Sequence, residues 1–139
     1  MNINKKISEI LKPEKKILIS LIVLIFIVIG LLFIIISFNE RNEYFNTIIE
    51  WRTNADDLLN KIATDEQKMN DSFLKHKIDS REMIKISEEN IQQYSLSILI
   101  GYILVILIII IFIILAIVFI IMKIKNKYRI IELFKTDSN

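Results

Sequence analysis

Cysteine is absent from this chain, glycine occurs twice, and proline, histidine and tryptophan occur once each. Without cysteine there is neither a disulfide nor a thiolate metal site, and redox compartment cannot be read from the composition. Two glycines and one histidine leave no material for a phosphate-binding loop, a nucleophile elbow or a zinc-protease helix, and no EF-hand loop is present. The excess of one charge over the other is also small: 18 basic against 16 acidic residues, a net +2. That balance is an average over basic ends and an acidic middle.

Charge is missing altogether from two long stretches. Residues 96–122, from Leu96 to Met122, and residues 17–38, from Ile17 to Phe38, contain no acidic or basic side chain. At helical rise the longer one reaches about 40 Å, more than the roughly 30 Å of a bilayer's hydrocarbon core. β-Branched isoleucine is a mediocre helix former in water. In lipid, unpaired backbone groups are so costly that a helix forms regardless. The first stretch is too long for a signal-peptide core and is followed by no small-residue cleavage site, so it reads as a retained anchor. The expectation is an all-α membrane protein with two transmembrane helices joined by a helical, coiled-coil-like extracytoplasmic hairpin.

Residues 1–16 form a basic lead-in, with Ile3, Ile7, Ile10 and Leu11 at helical spacing among lysines and Pro13 as punctuation before the first span. Residues 39–95 carry twelve acids and eight bases and neither glycine nor proline. Apolar positions there follow a 3-4 pattern: Phe45, Ile48, Ala55, Leu59, Ile62, Met69 and Phe73, with Arg52 and Glu66 as interruptions, resuming at Ile84 and Ile91. This predicts an association seam on a rod continuous with the first span. A turn is expected near 69–72, where Asn70-Asp71-Ser72 favours turns and N-caps. A second candidate lies at Asp79-Ser80-Arg81-Glu82, where Asp79 and Glu82 have capping-box spacing. The basic tail, 123–139, keeps an apolar stripe at Ile124, Tyr128, Ile131 and Phe134.

Basic residues cluster next to the spans on their terminal sides: Lys5, Lys6, Lys12, Lys15 and Lys16 before the first, and Lys123, Lys125, Lys127 and Arg129 after the second. The positive-inside rule then puts both termini in the cytoplasm and loop 39–95 outside, with these side chains contacting anionic lipid of the inner leaflet. Packing between membrane helices is expected at Gly30 and at the small-xxx-small pair Ser97 and Gly101.

Chemistry finds little support. His76 stands near Asp71 and Asp79, but one imidazole beside a carboxylate is not a zinc site. The pairs Asp56-Asp57, Asp65-Glu66 and Glu88-Glu89 diverge around a helix and do not converge as an acid and a base must. Asn70-Asp71-Ser72 also fits the N-glycosylation pattern and is read first as turn chemistry. No charge lies at membrane depth to serve a carrier or a selective pore. A two-span plan with both ends inside resembles large-conductance mechanosensitive channels and the membrane-proximal part of bacterial chemoreceptors. The small residues of the former's first span and the signalling rod of the latter are both missing, so no family follows.

The expected function is non-enzymatic: an accessory subunit, scaffold or minimal sensor-like module acting by helix association, as a homo-oligomer or with a membrane-protein partner. No nucleic acid, cofactor or metal is implied. The alternative is a membrane-perturbing protein of the holin or toxin-effector kind.

Overall fold

The computed structural model of the chain describes residues 2–138, and all its regular structure is helical. Helix α1 runs Ile3–Ile62, the one-turn helix α2 Asp65–Lys68, and helix α3 Asp71–Ser138. Met1 and Asn139, the outermost residues of the two expected basic tails, lie outside the described residues.

Both long helices contain a stretch apolar enough to cross a membrane, with peak mean hydropathies of 3.6 in α1 and 4.0 in α3. Only 11% and 6% of those stretches is buried. Helices from the core of a soluble protein would be covered by their neighbours, whereas these leave Phe26 and Phe33 each 69% exposed. Apolar surface this extensive calls for a covering that the single chain does not supply.

Two compact units divide the chain. The first, residues 1–32 and 103–139, pairs the beginning of α1 with the end of α3. Its least exposed positions recur at alternating steps of three and four, as in Ile10, Glu14, Ile17, Leu21 and Leu24 on α1 and Val105, Ile108, Phe112 and Leu115 on α3. Steps of this kind give the 3.5-residue period of a left-handed coiled coil. Pro13 does not end a helix as the sequence suggested, because α1 continues through it. Proline removes the N–H that would bond the carbonyl of Glu9, a residue on the exposed side, where that loss is tolerated. One turn away, buried Asn126 supplies support from α3. Its Nδ2 donates to the carbonyl of Ile10 at 3.2 Å and to Glu14 Oε2 at 3.3 Å.

The second unit, residues 33–102, contains the end of α1, all of α2 and the start of α3. Here too the covered positions step by three and four, through Phe38, Asn42, Phe45, Ile49, Arg52, Asp56 and Leu59 on α1 and Phe73, Lys77, Ser80, Ile84, Ser87, Ile91 and Tyr94 on α3. Contacts run antiparallel, with Ser95 against Asn42 and Ser80 against Asp56.

The reversal starts earlier than residues 69–72. α1 closes with the Ala63 N–H donating to the Leu59 carbonyl, and Thr64, in extended conformation, N-caps α2. The Gln67 N–H donates to Thr64 Oγ1 at 3.3 Å while Gln67 Oε1 accepts from the Thr64 N–H at 2.9 Å, a complete capping box. Asn70 then opens α3, its Oδ1 accepting from the Ser72 N–H at 3.1 Å. The expected turn residues are therefore the second half of the reversal. Asp79 and Glu82 lie inside uninterrupted α3, where the backbone they were expected to cap already bonds within the helix.

Candidate functional site: an association surface on the central segment

The seam of the central segment holds more polar groups than a buried stripe usually tolerates. Ser80 is 1% and Ser87 3% exposed, and Arg52, Asp56 and Lys77 are half-buried. Ser80 Oγ donates to Asp56 Oδ2 at 2.8 Å, and His76 Nε2 lies 3.8 Å from Asp56 Oδ1, an ion pair only when the imidazole is protonated. The Ser80–Asp56 bond gives both groups a partner where the seam excludes water, while the His76 side chain is 53% exposed and keeps solvent contact. These contacts tie the two helices together and add little apolar burial.

Nearer the first apolar stretch the seam becomes aromatic. Tyr94 packs between Phe38 (5.3 Å between centroids) and Phe45 (6.1 Å), and Arg41 lies over its ring at 5.7 Å while donating from Nη1 to the Tyr94 hydroxyl at 3.2 Å. Asn42 Nδ2 donates to Ser95 Oγ at 3.2 Å, and its Oδ1 is buried without a partner. Next along, Gly101 is buried. A Cβ added there would stand 3.0 Å from Ile35 Cγ1 and 3.1 Å from its Cδ1, so the helices approach closely and a side chain enters only if Ile35 shifts by a few tenths of an ångström.

The apolar residues missing from the seam are found beside it. Tyr44, Ile48, Trp51, Ala55, Leu58 and Ile62 form their own 4-3-4-3-4 series, the first five each one residue before a seam position. Trp51 is 78%, Ile62 69% and Leu58 60% exposed. On α3, Met83 and Ile86 likewise precede the seam residues Ile84 and Ser87, and both are exposed. In an antiparallel pair, residues preceding the seam on either helix fall on the same side. On this side α1 contributes an apolar strip from Tyr44 to Ile62, bounded by Arg41, while α3 adds Met83 and Ile86 flanked by His76 and Asp79 toward the reversal and by Asn90 and Gln93 at the other end. The opposite side carries Glu50, Asp57, Arg81, Lys85 and Glu88, with Leu74 and Ile78 near the reversal.

The sequence-derived seam divides between the two stripes. Phe45, Leu59, Phe73, Ile84 and Ile91 lie half-buried in the contact between helices. Ala55 and Ile62 lie on the exposed strip, with Ile48 half-buried at its edge, and Met69 at the reversal is 82% exposed. Arg52 breaks the apolar pattern because it occupies a true seam position. Glu66 is exposed on α2. Trp51, Leu58, Met83 and Ile86 are not part of the sequence-derived seam, although the unbroken spacing from Tyr44 to Ile62 was available as a signal.

The remaining expected positions are also placed. Gly101 and half-buried Ser97 lie on the helix contact, Ser97 Oγ donating to the Gln93 carbonyl at 3.0 Å. Gly30 faces open space, with nothing within 4 Å of an added Cβ. Lys5, Lys6, Lys12, Lys15, Lys16, Lys123, Lys125, Lys127 and Arg129 are all exposed, Lys123 lying over the Phe119 ring at 5.8 Å. Set against models of known protein families, curated proteins and solved structures, the chain matches none of them.

Proposed function

We propose that this chain is a non-enzymatic two-span membrane protein that acts by helix association. In this reading both termini are cytoplasmic and residues 39–95 form an extracytoplasmic coiled-coil hairpin. That hairpin's apolar strip pairs with the same strip of a second copy, making a four-helix bundle. The observation that carries the reading is the strip itself. A tryptophan, a tyrosine and three aliphatic side chains at heptad spacing, bare in one chain, are what a bundle buries and what a solitary pair in water does not maintain. Polar seam residues then set the alignment of each hairpin, and the strip supplies the apolar burial.

Because the chain has no cysteine, single replacements report contacts directly. In the full-length protein in bilayers, Ala55→Cys is expected to form a disulfide between copies, whereas Asp57→Cys on the opposite side is not. The single tryptophan, Trp51, should shift its emission to the blue as protein density rises. A chain that stays monomeric at every density, with Ala55→Cys uncrosslinked, overturns the reading. So does rapid dye leakage from vesicles, which belongs to a membrane-perturbing protein. Impermeant thiol reagents applied to intact cells should label Asp57→Cys, on the side the bundle leaves open, and spare Lys5→Cys. The reverse pattern defeats the assigned sidedness.

A further inference from the structure

Where the apolar run of α3 ends, the first unit carries an open groove of about 640 Å³, within the roughly 300–1,000 Å³ typical of sites for small molecules. Its walls change character along the helices. Val118, Ile121 and Met122 line one end, and Lys125 and Arg129 follow on the same side of α3. From α1 come Ile10 and Pro13, then Lys6. The seam amide of Asn126 is already engaged by Ile10 and Glu14. Three cations and one acid, Glu9, thus adjoin an apolar trough. The distance from Val118 to Arg129 is about 16 Å at helical rise.

We infer that this groove binds one anionic glycerophospholipid, its phosphate held by Lys6, Lys125 and Arg129 and an acyl chain laid against Val118, Ile121 and Met122. The inference rests on the reading that both apolar helices cross a bilayer, and it singles out three of ten terminal basic residues as a site. A free anion has no use for the trough, and a zwitterionic lipid gains little from three cations. An anionic amphiphile matches both ends, because the apolar wall lies at hydrocarbon depth and the cations at headgroup depth.

The test uses full-length protein in vesicles of phosphatidylcholine and phosphatidylglycerol, with native mass spectrometry counting the lipid retained after gentle extraction. Wild type is expected to keep phosphatidylglycerol in preference to phosphatidylcholine. The double variant Lys125→Gln/Arg129→Gln should lose it by about fivefold for each cation removed. Val118→Trp, which fills the trough without changing charge, should lose it as well. Lys123→Gln/Lys127→Gln removes the same charge from the opposite side of α3 and should retain it. Equal loss in the two charge pairs, retention in Val118→Trp, or no lipid preference in wild type overturns the site. Carbonate-resistant flotation of each variant with its vesicles checks membrane insertion separately, so a protein that never inserts is told apart from one that inserts without holding lipid.

Discussion

The helix contact inside the apolar stretches and the one in the central segment follow the same three-four spacing by opposite means. Within the apolar stretches the contact is marked by Leu21 and Val105, each 8% exposed, by Ile35 at 3%, and by buried Gly101. Every other face of those helices is equally greasy, so composition does not mark the contact and close fit does. In the central segment Arg52, Asp56, Ser80 and Ser87 occupy the contact, while Trp51 and Leu58 stand outside it. Apolar content and apolar placement are therefore separate properties. The contact inside the apolar stretches is ordinary in composition and specific in shape, and the central contact leaves its best apolar stripe uncovered.

The largest effect is expected where that shape is tightest. Gly101→Leu drives a side chain into Ile35 and should weaken the contact by about 1–3 kcal/mol, the usual range for overpacking. Gly30→Leu meets open space and should stay within about 0.5 kcal/mol. Unfolding in a titration with dodecyl sulfate, followed through Trp51 emission, measures both. If Gly30→Leu proves as damaging as Gly101→Leu, fit is not what distinguishes the contact inside the apolar stretches. If Gly30→Leu instead leaves stability intact and lowers crosslinking between copies, Gly30 belongs to an interface between chains.

The same contrast explains what could be read from the residues alone. Charge-free runs announced two long apolar helices, because composition decides solvent before it decides packing. The absence of glycine and proline between Asn39 and Tyr94 made continuous helices legible, and Asn70 was legible as a cap. The phase of the central contact was not. Phe45, Ile48, Ala55, Leu59 and Ile62 hop between two adjacent stripes, and Arg52 looks like an error only when the stripes are merged. Inside the spans no phase can be read at all, since isoleucine covers every face. Pro13 misled because a proline whose i−4 carbonyl is exposed interrupts a helix less than one in a buried turn.

A middle-sized effect separates the polar contact of the first unit from its apolar neighbours. Asn126 is 5% exposed and donates to both Ile10 and Glu14. Replacing it with leucine leaves a half-buried Glu14 carboxylate without that donor, a loss of about 1–2 kcal/mol. Hydrogen exchange at the amides around Ile10–Glu14 should accelerate by about five- to thirtyfold. The same replacement at Asn42, whose Oδ1 is buried and unpartnered, should be neutral or stabilising, because it removes an orphaned acceptor along with one bond to an exposed serine. Matching losses at the two asparagines would show that bond count, and not satisfaction, governs these contacts.

The smallest effect belongs to the reversal, where neither contact operates. Thr64 holds α2 through a capping box on an exposed turn. Thr64→Ala removes one arm of that box and should destabilise by about 1 kcal/mol, whereas Thr64→Ser keeps the oxygen and most of the stability. Exchange at the Gln67 amide, which donates to Thr64 Oγ1, reports the change directly. Because α2 buries none of its residues, the loss should remain local, leaving the Asp56–Ser80 contact and the exposure of Trp51 as they were. A shift of Trp51 emission in Thr64→Ala would mean that the reversal, and not the polar seam, sets the alignment of the central helices.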